Sequence, residues 1–300
     1  MNEIKFNTFM GLPEFNYMNL VDYVIIGIPF DTGCTFRVGA RMAPSKIRQC
    51  SKFLKNYNVD LKTDISKELL GADYGDIKVI PGYIEASYER IQYELDNIVS
   101  TGAIPISLGG DHSISLAQLR VLAKSHGPIA LIQFDSHTDT VDQYLGQIYN
   151  HATTFRRACE EGLIDVEHSI QIGIRSQIGN AGKLGFKTFT TNDIRNLGIK
   201  EVGRVIRERV GSSKAFLTFD IDFLDPAYAP GTGTIEVGGV SSLDAIDLIR
   251  ETCEINVVGY DLAEVLPAYD EGDITSNTAA MIVYEFICFI SKKLKIKRGL

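Results

Sequence analysis

Three short apolar runs in this chain end abruptly in carboxylates and imidazoles, which constrains the fold more than any other feature. Ile104-Pro-Ile-Ser-Leu108 runs into Gly109-Gly110-Asp111-His112-Ser113. Ile129 to Phe134 runs into Asp135-Ser136-His137-Thr138-Asp139, and Ala215 to Phe219 into Asp220-Ile221-Asp222. Runs of this kind read as strands buried on both faces of a parallel sheet. Open α/β sheets put their ligands in the crevice at the carboxyl ends of such strands. The strand ends would therefore bring two imidazoles and at least four carboxylates to one cleft. That much negative charge cannot share a buried space without a cation. A metal site is the economical reading.

Strand signals fall at residues 23–28, 77–80, 104–108, 129–134, 169–174, 187–190, 215–219 and 257–260. Helix signals fall at 43–53, 84–101, 113–125, 153–162, 201–210, 241–254 and 276–294. Their alternation predicts one largely parallel sheet covered by helices on both faces. Neither a linker nor a repeat divides the 300 residues, so a single domain over 1–300 is expected. A net charge of −8 leaves no basic stripe for nucleic acid. Only Lys292 to Arg298 is basic, where cations suit a helix end. No signal-peptide pattern is present. The apolar stretch Ala279 to Ile290, interrupted by Glu285, reads as too short for a bilayer, so no membrane is expected. Five cysteines, odd in number and without CxxC spacing, fit reduced thiols in a cytoplasmic protein.

The spacing Asp135-X-His137-X-Asp139 is too tight for a flat strand and suits a loop curling around a cation. Carboxylate and imidazole ligands without cysteine point to Mn²⁺, Fe²⁺, Co²⁺, Ni²⁺ or Zn²⁺ rather than a structural zinc. Two such ions, about 3.5–4 Å apart, are the usual hydrolytic arrangement. Each piece alone has an ordinary explanation. An Asp-X-Asp is commonly a turn or cap, and Gly109-Gly110 says only that the backbone turns sharply. Phosphate-loop patterns are absent, and His126 and His168 read as plain hydrogen-bonded histidines. Repetition at three strand ends is what carries the metal reading.

These stretches, with Pro230-Gly-Thr-Gly-Thr234 and Gly259-Tyr-Asp-Leu-Ala-Glu-Val265, resemble the signatures of the ureohydrolases, the arginase and agmatinase family. The resemblance runs from about Gly27 to the final helix. It implies a three-layer α/β/α sandwich, two Mn²⁺ ions per chain and hydrolysis of a guanidino group to urea, with Ni²⁺ or Co²⁺ left open. By that resemblance His112, Asp135, Asp139 and Asp220 hold one ion. His137, Asp135, Asp220 and Asp222 hold the other, with Asp135 and Asp220 bridging. Asp139 would assist proton transfer, Glu264 would hold the guanidinium by a charge-assisted fork, and Thr234 would contact substrate. His151 would shuttle a proton to the leaving amine; the structural alternative is a loop histidine capping the helix at Thr153. Ser136 replaces a commoner Ala and should not affect ligation. Ala152 and Ile235 replace Gly and Pro, which would reshape the substrate loops. A homo-oligomer, trimer or hexamer, is also implied.

Arginase itself fits poorly, because Val141 and Ser176-Gln177-Ile178 stand where polar groups would hold an α-amino acid head. Hydrolysis of agmatine to putrescine is the expected reaction, with Asp142 at the cleft mouth attracting the ammonium. The alternative is an ω-guanidino acid such as 4-guanidinobutyrate, its carboxylate received by Arg156 or Arg157. Surface pairs four residues on, with Glu160 and Glu161, compete for those arginines. Two other classes remain. A catalytically silent partner subunit is disfavoured by the complete ligand set, and a two-metal phosphoesterase by the lack of a basic phosphate clamp.

Overall fold

Burial on both faces is what holds the apolar runs in one sheet. The computed structural model describes residues 8–176 and 181–298. Its strands are β1 (Tyr23–Gly27), β2 (Tyr57–Asn58), β3 (Thr63–Asp64), β4 (Gly71–Asp76), β5 (Ile104–Leu108), β6 (Ala130–Phe134), β7 (Ile170–Ile174), β8 (Lys187–Thr190), β9 (Ala215–Asp220) and β10 (Val257–Ala263). The helices are α1 (Ala43–Ser51), α2 (Ile65–Glu68), α3 (Ile84–Ser100), α4 (Ile114–His126), α5 (Thr154–Glu160), α6 (Ala181–Leu184), α7 (Thr191–Leu197), α8 (Ile199–Val210), α9 (Ser242–Arg250) and α10 (Ile274–Arg298). The main sheet has eight strands in the order β4-β1-β5-β10-β9-β6-β7-β8, every pair parallel. β2 and β3 make a short antiparallel ribbon.

Successive residues of each strand enter opposite layers. Val24, Ile26, Leu131 and Phe216 pack into one core with Leu95 of α3 and Leu119 of α4. Tyr23, Ile25, Ile132 and Leu217 pack into the other, with Ile47 of α1, Ile206 of α8 and Phe286 of α10. Each such side chain stabilises the fold by about 1.5–3 kcal/mol when fully buried. This is the three-layer α/β/α sandwich. Its four central strands, β5, β10, β9 and β6, are consecutive neighbours, so the loops leaving their carboxyl ends must meet.

Two expectations fail. Residues 77–80 form no strand; the edge strand is β4, with the polar sequence GADYGD. Backbone pairing to β1 outweighs the Val/Ile signal downstream, and Arg48 neutralises the carboxylates of β4. Second, Ile274–Lys295 is long and apolar enough to cross a membrane, with a mean hydropathy of 1.4. Reading only the uninterrupted stretch underestimated it. In the fold 78% of that window is buried, mainly against α1 and neighbouring core elements.

Arg48 is 4% exposed and grips Asp73 with Nε and Nη2, both at 2.9 Å, while Nη1 reaches Asp76 at 2.5 Å. Removing one partner of a buried ion pair strands the other charge. Arg48→Met is therefore expected to destabilise the protein by about 3–5 kcal/mol, read as a fall in the urea unfolding midpoint. A loss below about 1 kcal/mol, the range of an exposed pair, would show that Asp73 does not depend on this guanidinium.

Candidate metal centre

The glycines after β5 are there for close approach. A Cβ on Gly110 would lie 1.9 Å from the Phe30 carbonyl oxygen, and neither Gly109 nor Gly110 has positive φ. The loop presses against β1 and β10, with Gly110 N–H donating to Ile28 O and Glu264 N–H donating to Gly110 O. That tie sets His112 beside Glu264, whose Oε1 accepts the His112 amide at 2.9 Å.

The His112 ring is fully buried. Its Nε2 faces the Thr218 hydroxyl at 2.7 Å, and Phe155 packs edge-on, ring centroids 5.2 Å apart. Nδ1 then points among three carboxylates: Asp139 at 2.9 Å, Asp135 at 3.1 Å and Asp220 at 3.3 Å. Yet Nδ1 makes no properly aligned hydrogen bond. A ring nitrogen encircled by oxygens and bonded to none of them fits a coordination shell rather than a hydrogen-bond network. A second group joins Asp135, His137 and Asp222. There Nδ1 of His137 lies 3.0 Å from Asp222 and 3.6 Å from Asp135. Asp135 belongs to both groups, as a bridging ligand must.

Electrostatics agree with this geometry. Burial raises the Asp220 carboxyl well above the usual range, and Asp222 and Asp135 push it the same way. Asp139 rises through burial and the Asp135 charge. Burial disfavours a charged imidazole at His112 and His137, but the carboxylates prevail, lifting His112 well up and His137 to about 12. Burial would also raise Asp135, but the two imidazoles outweigh it and hold it down. The surplus negative charge of this pocket draws protons, and divalent cations would satisfy it better.

The centre opens into a cleft of about 80 Å³ also lined by Thr35, His151, Ala152, Thr234 and Glu264. A groove of about 1000 Å³ lies elsewhere, between α7, α8 and α9, and holds none of the imidazoles or paired carboxylates. We place the chemistry in the smaller one. His151 Nδ1 lies 2.9 Å from Glu264 Oε1, and its Nε2 receives the Thr35 amide at 3.1 Å. Burial opposes its charged form, but Glu264 raises it to about 9. Asn150 supplies the helix cap with Thr153, so His151 is not the capping residue. Asp139 and Glu264 have positive φ, 50° and 63°, a strained conformation that tends to cluster at functional sites. The Thr234 hydroxyl is buried without a partner among the described residues.

Three residues placed at the substrate tail by sequence are occupied elsewhere. Arg157 binds Asp142 at 2.8 Å and Glu160, and Arg156 binds Glu160 at 2.6 Å. Glu161, the expected partner of Arg157, pairs with Arg120 instead. Ser136 is not inert either: its hydroxyl donates to Asp222 at 2.7 Å and lies 2.9 Å from His137 Nδ1. Thr218, Phe155, Thr35 and Asp111, which accepts the Gly33 amide, were missed because their roles depend on neighbours distant in sequence. Gln177 and Ile178, part of the argument against arginase, lie outside the described residues.

Comparison with known proteins finds the arginase family model matching residues 21–288. A mitochondrial guanidino acid hydrolase from Homo sapiens is 38% identical, covering 94% of this chain and 82% of its own. A mitochondrial agmatinase from Gallus gallus is also 38% identical, covering 90% and 81%. The structure of proclavaminate amidino hydrolase from Streptomyces clavuligerus superimposes with a TM-score of 0.92 at 35% identity, covering 96% and 97%.

Proposed function

The chain belongs to the arginase family and hydrolyses a guanidino group to urea and an amine; from that premise we propose how its residues divide the work. His112, Asp135, Asp139 and Asp220 would hold one divalent ion, and His137, Asp135, Asp220 and Asp222 the other, Mn²⁺ by preference. The observation that carries this reading is His112 Nδ1, within 3.3 Å of three carboxylates and hydrogen-bonded to none. Such ions would supply an activated water as the nucleophile at neutral pH.

The protein's own groups do the rest. Glu264 carries a negative charge at the cleft wall and is matched to a planar guanidinium, whose fork it orients. Asp139 is placed to accept a proton as the attacking water adds. His151 can return one to the departing amine: when protonated its Nε2 has the Thr35 hydroxyl as an acceptor 2.8 Å away, and Glu264 steadies the charged form. Thr234 offers its unpartnered hydroxyl to the substrate.

Agmatine loses the anchor that favoured it, since Asp142 is engaged by Arg157, and a guanidino acid loses Arg156 and Arg157 likewise. The reaction itself is tested by urea release from agmatine and 4-guanidinobutyrate by the Mn²⁺-loaded chain. His151→Ala is expected to keep both ions and lower kcat by roughly 10²–10³, the range for a proton-transfer residue. Loss of metal from that variant would make His151 a ligand and contradict the assignment.

A further inference from the structure

Ser136 stands between two metal ligands and reaches a ligand atom on each side of the second group. It is fully buried in the loop after β6. Its carbonyl oxygen accepts the Arg175 and Ser176 amides at 3.0 and 3.2 Å. The Arg175 guanidinium in turn donates to the Asp222 carbonyl oxygen at 2.6 Å. The loops after β6 and β9 are thereby tied by their main chains, and the Ser136 hydroxyl is set against the Asp222 carboxylate.

A carboxylate has about two lone-pair sites on each oxygen. Asp222 Oδ1 accepts the Ser136 amide at 3.0 Å and the Ser136 hydroxyl at 2.7 Å, so both of its sites are filled. Asp135 differs. Its Oδ1 accepts the His137 amide at 2.6 Å and its Oδ2 the Gln133 side chain at 2.7 Å. Among the described residues each Asp135 oxygen thus keeps a site for an ion, whereas Asp222 has only Oδ2 to give, 3.0 Å from His137 Nδ1.

The same hydroxyl touches that imidazole. Its oxygen lies 2.9 Å from His137 Nδ1, and an ion that takes the lone pair of Nδ1 must break this contact. The His112 group carries no such competitor, because Nδ1 of that ring has no hydrogen-bond partner among the described residues. Partners of metal ligands commonly strengthen binding by fixing orientation. Here the Ser136 amide already fixes Asp222, and an alanine would supply the same amide.

We propose that the Ser136 hydroxyl closes one oxygen of Asp222 and competes for His137 Nδ1, so that the ion at these two residues is the weaker-held of the pair. This rests on the two-ion reading of the centre and adds the residue that makes its sites unequal.

The test titrates the metal-free parent and Ser136→Ala with Mn²⁺, the free ion being counted by its electron paramagnetic resonance signal. The parent should bind two ions in two steps. Ser136→Ala should leave the tighter step unchanged and tighten the weaker one about tenfold, the low end of what partners of metal ligands are worth. The Mn²⁺ concentration that gives half-maximal urea release should fall by the same factor, with the circular dichroism spectrum unchanged. A weaker step that stays the same or loosens overturns the proposal, as does an equal tightening of both steps. A parent that binds fewer than two ions at saturating Mn²⁺ removes the two-ion reading and the proposal with it, a result seen before any variant is made.

Discussion

Replacing a carboxylate proposed to bridge the ions, Asp135→Asn or Asp220→Asn, is expected to lower urea formation by at least about 10⁴-fold, ~5.5 kcal/mol of transition-state stabilisation. Asp135 is fully buried, lies 3.1 Å from His112 Nδ1 and is shared by both ligand groups. An amide has the same shape but one oxygen fewer and no charge, so one donor and the charge facing both proposed ions would be lost together. The metal content should fall together with activity. The fold should survive, since the side chain's volume and the core around β6 are unchanged; circular dichroism and the thermal transition check this. An Asn variant that kept two ions and turned over within tenfold of the parent would show that the carboxylate does not bridge.

The second large effect is expected at Glu264. Glu264→Gln should cost about 10³-fold in kcat/KM, ~4 kcal/mol, while leaving the ions bound. Glu264 is 3% exposed, and its charge is held down in pKa by His151 and the His112 amide against the opposing effect of burial. The side chain thus stays an anion facing a cleft whose other acidic groups, among the described residues, all belong to the proposed ligand set. A guanidinium entering that cleft exchanges water for this one carboxylate, and losing one partner of a buried charge pair costs 2–5 kcal/mol or more. The split between kcat and metal content is decisive. Loss of metal in Glu264→Gln would place Glu264 in the coordination shell, whereas a change under tenfold would remove it from substrate binding.

Much of the site was legible in sequence because parallel strands buried on both faces announce themselves. Ala130–Phe134 and Ala215–Asp220 each carry one interior polar residue, Gln133 and Thr218, and are buried along their whole length, without the polar alternation of a half-exposed strand. Once those runs are strands of one sheet, the acidic residues closing them must gather at one end. β4 escaped for the complementary reason: an edge strand with GADYGD has no apolar signal, and its pairing to β1 is a property of the backbone. The tail contacts escaped because helical spacing predicts partners within one element only. It gave Arg156 its correct partner, Glu160. It could not show that Glu161 turns to Arg120, or that Arg157 reaches back across a loop to Asp142. Ser136 illustrates the same limit at shorter range, since one hydroxyl in place of a methyl reaches both Asp222 and His137.

The central claim is that two ions, held by four aspartates and two histidines, make this cleft hydrolytic. The most direct measurement is metal analysis of the purified chain after loading with Mn²⁺ and removal of excess, made on the same sample whose urea release is assayed. The account predicts about two ions per chain, and activity lost on chelation and restored by Mn²⁺ in parallel with occupancy. A fully active chain holding one ion or none would contradict it.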